Sequence, residues 1–468
     1  MSLSDLLVDT CIIGGGAAGA YAAYRLHQLN HTVAIVERGP HLGGHTVTYR
    51  DPILTNNQPI DYGVTWLQNL PVIRDTFAHY HVPLVKEKID YAIDMFDFAR
   101  GEPITPLPAN ETTAALDRYS TLLAQHPYLA TGFEDLPDPV PDDLVAPFKQ
   151  VMDKYHLGGL LDTFSSWLSG LGEWPDYPTL YVMKYVGTDY LAGRLQLGWV
   201  RPKSHDASEI YRAMEQELRQ SQTLLFNSSV VRVDARDSAA AAAAAAADRV
   251  VVDVASTVDE TRRPITPTTR RRRIRAKTLL FAAPPLPDRL EVLGLDERER
   301  ALFRQFKDPW LYTALVRVDG FPDYTFLENH GKDHPFHRPR LPAVLAFRPT
   351  EVSKIVRVTV GSTSRGLSEA EVGNCIRAGV DSVRRRLGNG GGGNASDPEI
   401  LVVRNHSPYT LTVSGAAVAA GFYRQLSALQ GYRRTYYTGA TFDTHHMPQV
   451  WMVTDQVLQR HLLPELRG

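Results

Sequence analysis

The chain has 468 residues, 43% of them hydrophobic and 22% charged, with a formal net charge of −2. That balance describes a globular protein with no global attraction to nucleic acid or an anionic membrane, and the length exceeds one ordinary core, so two domains are expected. Two cysteines, Cys11 and Cys375, exclude a disulfide framework and fit a reducing compartment. The opening MSLSDLLVDTC has no basic or apolar signal region, and no stretch reaches the roughly 20 apolar residues of a membrane span, so a cytoplasmic enzyme is the expectation.

The first predicted unit runs from Val8 to Glu37. An apolar strand (Thr10 to Ile13) meets Gly14-Gly15-Gly16-Ala17-Ala18-Gly19, an Ala/Leu-rich helix follows, and a second apolar strand (Val33 to Val36) ends at Glu37. Each part has a task in holding a dinucleotide. Gly14 permits the tight turn, Gly16 lets backbone approach a pyrophosphate, Gly19 lets the helix pack on the sheet, and the helix N-terminus offers free N–H groups and a positive dipole end. Glu37 lies near the roughly 20-residue spacing at which an acid meets the adenosine ribose, which disfavours a 2′-phosphate and so NADP. Behind Glu37 come Arg38 and a second glycine turn, Leu42-Gly43-Gly44-His45, and then the cluster Ile60-Asp61-Tyr62-Gly63-Val64-Thr65-Trp66. A nicotinamide enzyme does not need glycines here, whereas a flavin enzyme uses such a turn to pass the chain under pyrophosphate and flavin.

With these elements in this order the sequence resembles the FAD-dependent amine oxidase superfamily, and most closely its branch of fungal β-cyclopiazonate dehydrogenase-like flavoenzymes. The closer likeness is carried by LGGHTVTYRDP (Leu42 to Pro52), IDYGV (Ile60 to Val64), HSPY (His406 to Tyr409) and the stretch from Leu429-Gln430-Gly431 to Tyr436-Tyr437-Thr438-Gly439. The resemblance implies an α/β protein with FAD as cofactor. A Rossmann-like FAD-binding domain would be built from discontinuous segments (1–89, 196–290 and 425–468), with an α+β substrate domain of helices and an antiparallel sheet (90–195 and 291–424). It extends the cofactor-binding set from Gly14, Gly16, Ala18, Gly19 and Glu37 to Arg38, Gly43, Gly44, His45 and Val64. Val230 would hold the adenine through its backbone, and Gly439 and Val450 would lie where a strand and a helix N-terminus pass the flavin. The sequence departs from the superfamily pattern in several places. Ala440 replaces an acid and Pro448-Gln449 replaces Pro-Gly, which bears on the detailed flavin contacts and leaves the cofactor expectation in place. Tyr312 and Thr313 stand where a lysine is common and Val450 where an aromatic is frequent, which argues against simple primary amines as substrates.

Along the rest of the chain, Pro71 to Val85 reads as helix and strand. Asp90 to Leu195 reads as amphipathic helices rich in aromatics, with one helical stripe at Leu144, Phe148, Val151, Met152 and Tyr155. Phe164, Trp167, Trp174, Tyr177, Tyr181 and Tyr185 are the candidates for an aromatic substrate chamber. Ala239 to Ala247 reads as a surface insertion between strands, and the tract Arg270 to Arg273 as part of a solvated loop. Leu311 to Val318, Ala343 to Phe347 and Ile355 to Val360 suggest an antiparallel sheet. His330, His334 and His337 near Asp333 fit no compact ligand spacing, and Pro335 and Pro339 break any regular element, so no metal is expected. Gly390 to Gly393 has no preceding strand and reads as a plain loop.

Tyr409 and, after it, His406 are the candidate catalytic residues. The function expected is that of an FAD-dependent dehydrogenase or oxidase taking a hydride from a C–H bond of a bulky, largely apolar small molecule in fungal secondary metabolism. A flavin-dependent double-bond isomerase of polyunsaturated fatty acids and a non-catalytic dinucleotide-binding protein are the alternatives. No nucleic-acid partner is expected, and the sequence does not specify an oligomeric state.

Overall fold

A computed structural model describes residues 5–87, 91–234, 249–257, 269–307, 309–363, 366–388 and 396–467. The alanine run, residues 261–268 and Gly390 to Gly393 lie outside them. The fold is mixed α/β, organised on two seven-stranded sheets.

The first sheet begins with Leu6–Ile13, which pairs in parallel with Val33–Val36 on one side and with the long strand Thr269–Phe281 on the other. Thr223–Leu225 extends it beyond Val33–Val36, and Thr435–Tyr437 pairs in parallel with the end of Thr269–Phe281. Val33–Val36 is buried at every position, as the continuous apolar run requires of a parallel strand covered on both faces. On the far side, Ser228–Asp234 and Val250–Thr257 form an antiparallel ribbon with the first half of Thr269–Phe281. Here the structure corrects the sequence. Arg270 to Arg273 are ladder residues opposite Ser256 to Asp253, with Arg273 Nε donating to the Asp253 carboxylate at 2.8 Å, and not loop residues. Strand pairing keeps both the exposed cations and the apolar residues that follow them on one extended segment.

Helix Ala17–Gln28 packs over this sheet against helix Met447–Val457, with Tyr21 stacked on the fully buried Trp451 at 5.0 Å and Arg25 bonded to Asp455. The first and last parts of the chain are thereby locked together. The second sheet has the order Glu399–Asn405, Trp310–Arg317, Ile355–Ser362, Ala343–Pro349, Thr325–Asn329, Ala92–Asp97, Glu102–Pro103. It is antiparallel except where Thr325–Asn329 runs parallel to Ala92–Asp97. Helix Glu369–Arg386, opened by a Ser368/Glu371 capping box, buries Val372, Ile376, Val380 and Val383 on it.

Between the sheets, residues 109–197 form short helices around Tyr119, Phe148, Phe164 and Trp174. The stripe from Leu144 to Tyr155 is two helices, Asp142–Val145 and Phe148–Lys154, because Pro147 disfavours helical geometry at Ala146 and takes the second helix's start instead. Leu84–Glu87 joins Trp199–Pro202 in a separate three-stranded sheet with Leu67–Gln68. Among the described residues no helix is long and apolar enough to cross a membrane.

Candidate active site

Three glycine elements from distant parts of the sequence meet at the N-terminus of helix Ala17–Gln28. Gly14 leaves the first strand at φ +99°, a left-handed geometry that strains any other residue, and its N–H donates to the Val36 carbonyl. A Cβ on Gly19 would run into the Gly14 carbonyl, so the helix sits on the turn only with glycine there. The second turn lies directly against the first. Gly43 N–H donates to the Gly15 carbonyl, and a Cβ on Gly44, itself at φ +59°, would come within 2.9 Å of Gly16 Cα. Gly439 follows the Thr435–Tyr437 strand at φ +119°, where a Cβ would lie 3.8 Å from Ala18 Cβ.

The helix has no acid in its first turn and no side-chain cap at Gly16, so its leading N–H groups are left for an anion. Glu37 accepts from Gly15 N–H and Gly39 N–H at 2.7 Å each, tying the turn to the end of the second strand. Val230 lies half-buried on Ser228–Asp234, whose Ser228 N–H donates to the Glu37 carbonyl, so both lie beside the end of the second strand. Arg38 is exposed at the same end. A narrow, backbone-walled groove with free helix donors and an acid at one end fits an FAD: Gly14 to Gly19, Gly43 and Gly44 would hold its pyrophosphate and Glu37 its ribose.

A cavity of about 360 Å³ opens where the second turn ends, at His45, Gly63 and Val64. One wall is a stack of Trp66, Tyr91 and Phe326, with Tyr91 and Phe326 4.6 Å apart and nearly coplanar. Another carries Trp167, Tyr185 and Trp199. At the floor, His45, His406, Tyr409, His445 and His446 form a connected ring cluster, with His45 edge-on to His406 at 4.8 Å and Tyr409 4.1 Å from His445. Thr313 Oγ1 is 2.8 Å from His406 Nε2, and Thr410 Oγ1 is 3.1 Å from His445 Nδ1. His445 Nε2 is buried and, among the described residues, has no hydrogen-bond partner.

Enclosure by protein holds these imidazoles neutral. Desolvation first, then the cations Arg404, Arg289 and Arg38, lower His45 to about 4. Desolvation, Lys184 and Arg194 lower His446 to about 3, and desolvation with His45 takes His406 well below its ordinary value. Burial raises the Tyr409 and Tyr185 phenols, which stay protonated. The floor therefore offers neutral acceptors and phenolic donors at neutral pH.

The loop bearing His445 and His446 is fastened by a buried ion pair. Lys184 Nζ is 2.5 Å from Asp443, whose other oxygen accepts from Gly132 N–H, and Lys184 also donates to the Leu129 carbonyl.

Both candidate catalytic residues, His45 and Val64 thus line one cavity. Val450 is buried one turn inside helix Met447–Val457, its N–H on the His446 carbonyl, and His446 and Met447 beside it line the cavity. Of the chamber candidates, Trp167 and Tyr185 line the cavity, whereas Phe164 and Trp174 are core, Tyr181 is bonded to Tyr423, and Tyr177 borders a separate cleft with Lys307. Sequence reasoning missed His445 and His446, adjacent histidines just before a proline-bearing helix start, and the charged wall residues Arg194, Glu328 and Arg348. His330 and His337 come together with Asp162, ligand atoms within 4.8 Å of one another, while Asp333 pairs with Arg100.

Residues 12–80 match the model of an NAD(P)-binding Rossmann-like domain. The structure is similar to that of a fatty acid isomerase from P. acnes that produces CLA (TM-score 0.75, 17% identity, 97% of this chain and 98% of that one). It is also similar to cyclohexylamine oxidase from Brevibacterium oxydans (TM-score 0.65, 15% identity, 98% and 99%). In sequence the chain is 33% identical over 461 residues to the FAD-dependent oxidoreductase pigF of Monascus ruber, covering 98% of this chain and 92% of that protein. It is 30% identical over 461 residues to the FAD-dependent oxidoreductase oblC of Cochliobolus heterostrophus (97% and 91%). Identity to the β-cyclopiazonate dehydrogenase of Aspergillus oryzae is 30% over 455 residues (97% and 92%). A backbone groove built for a dinucleotide and end-to-end likeness to these enzymes place the chain in the family of fungal FAD-dependent oxidoreductases, with FAD as its cofactor.

Proposed function

We propose that the protein removes a hydride from a C–H bond of a bulky, largely apolar small molecule in fungal secondary metabolism. The observation that carries this reading is the continuity of groove and cavity: the turn that walls the cofactor groove, Gly43 to His45, is also where the aromatic chamber begins. FAD supplies the two-electron acceptor, and everything else falls to the chain. Trp66, Tyr91 and Phe326 pack the apolar body and exclude water. His406, neutral and oriented by Thr313, accepts a hydrogen bond from a substrate N–H or O–H beside the C–H that gives up the hydride. Tyr409, a protonated phenol, donates a hydrogen bond to the same end of the substrate. Segments 1–89, 196–290 and 425–468 act as the FAD-binding domain, a division supported by the strands each gives to the first sheet.

Purified protein should be yellow, release FAD on denaturation and bleach anaerobically when titrated with its substrate from a panel of metabolites of the source organism. Absence of flavin would overturn the reading. A product of unchanged mass, formed without consumption of any electron acceptor, would replace it with double-bond isomerisation.

A further inference from the structure

The cavity's charged side chains are unequally partnered. Arg357 lies buried, its Nε donating to the Asp61 carbonyl at 2.6 Å. Arg348 stands over the Phe326 ring and 3.8 Å from the buried carboxylate of Glu328, which also accepts from Ser166. Arg194 is different. It lies at the exposed end of the cavity, on the turn Gly193–Leu197, and among the described residues it has no carboxylate partner. Its guanidinium is held by aromatic rings instead: Trp167 at 4.9 Å, Trp199 at 5.4 Å and Tyr190 at 5.5 Å to the ring centroids. Among the described residues its hydrogen bonds run from Nε and Nη2 to one oxygen, the Tyr190 hydroxyl, at 3.3 and 3.1 Å.

A guanidinium carries five N–H donors, so two bonds leave about three without an acceptor among the described residues. Three rings fix its plane without neutralising its charge, which removes the ordering entropy that weakens most exposed ion pairs. The opposing floor cannot supply the missing anion. His406, His445 and His446 are neutral, Tyr185 and Tyr409 are protonated, and Glu328 is engaged by Arg348, Ser166 and His330.

We propose that Arg194 anchors an acidic group of the substrate, so that the molecule oxidised is a bulky apolar compound bearing a carboxylate or another planar oxyanion. The anion sits at the exposed end on the aromatic-backed guanidinium, and the apolar body runs inward along Trp66 and Phe326 toward His406. The proposal rests on the reading of this cavity as the substrate site.

The test uses FAD-loaded protein and two isosteric probes, 2-naphthoate and 2-naphthamide, titrated against the flavin absorbance spectrum. The naphthoate should bind at least about tenfold more tightly, and R194Q, at unchanged FAD content, should abolish that preference by weakening naphthoate alone. R194K, which keeps the charge without the planar fork, should fall between. Added salt should weaken naphthoate and leave naphthamide unaffected. Equal binding of the two probes to the wild type, or a preference that survives in R194Q, overturns the anchor while the cavity reading stands. A flavin spectrum that neither probe perturbs overturns both.

Discussion

The candidate cofactor groove and the proposed substrate cavity share the Gly43 to His45 turn, yet they are specified in different ways. The groove is made of backbone. Its walls are glycines whose missing side chains let two turns touch, and the donors it offers are peptide N–H groups at a helix end. The cavity is made of side chains, brought from both sheets, the intervening helices and the loop before the last long helix. A backbone site tolerates almost no added atom but depends little on which apolar residues surround it. A side-chain site can be altered residue by residue, and a family with one cofactor can thereby serve many substrates.

The largest effect should therefore follow from adding atoms to the groove. Gly16→Val places branched methyls between two turns that already approach backbone to backbone, and Gly44→Ala puts a Cβ 2.9 Å from Gly16 Cα at a φ of +59°. Each should reduce bound FAD by more than about tenfold, read from flavin absorbance per protein after gel filtration, with the apoprotein still folded. Full FAD retention in Gly16→Val would refute the placement of the pyrophosphate.

This contrast also explains what the sequence makes legible. Strand, glycine turn, helix, strand and acid lie within 30 residues of one another, and each position's requirement is local, so Gly14 to Gly19 and Glu37 read directly as a dinucleotide site. A helical stripe, by contrast, says which face points inward and not whether the interior there is filled. Phe164 and Trp167 sit three residues apart on helix Leu161–Trp167, and one is core while the other faces the cavity. His445 and His446 reach the cavity on a loop that Lys184, some 260 positions earlier, fastens through Asp443. That pairing has no local signature.

The Lys184–Asp443 pair gives the next effect in size. Both side chains are essentially inaccessible (3% and 0% exposed), so Lys184→Met leaves Asp443 buried with only the Gly132 N–H for compensation. Breaking one side of such a pair destabilises by about 3–5 kcal/mol, measurable by urea denaturation. Lys184→Met/Asp443→Asn, which removes the stranded charge and keeps an acceptor for Gly132, should recover part of the loss. A loss below about 1 kcal/mol for the single variant would mean that the loop is held by other contacts.

Acid should loosen the cavity before the groove. His446 is held near 3 and His406 well below its ordinary value, so between those values and the unfolded histidine value the unfolded chain binds protons that the folded one refuses. The stabilisation is complete above about pH 6.5 and is lost as pH falls, by roughly 1.4 kcal/mol per pH unit for each histidine that stays neutral. Denaturation curves at pH 6.5 and 5.5 should show that loss, and His446→Phe, which keeps a ring against Tyr190, should reduce it by about one histidine's share. An unchanged slope in the variant would show that His446 takes up its proton in the folded state.

The smallest effect sharpens the comparison most, because it touches only the chemistry of the cavity. Thr313 stands on strand Trp310–Arg317 with its hydroxyl 2.8 Å from His406 Nε2, and both residues are buried. Thr313→Val conserves shape and the β-branched strand preference while deleting that one bond, worth about 1–1.5 kcal/mol. If Thr313 orients His406 toward the substrate, anaerobic flavin reduction should slow about tenfold, with FAD content and substrate affinity unchanged and the pH dependence of reduction displaced. A variant that weakened FAD binding instead would place Thr313 in the groove and erase the boundary drawn between the two sites. One that lost only stability, with reduction unchanged in rate and pH dependence, would confine the Thr313–His406 bond to packing and leave Tyr409 as the polar group acting on the substrate.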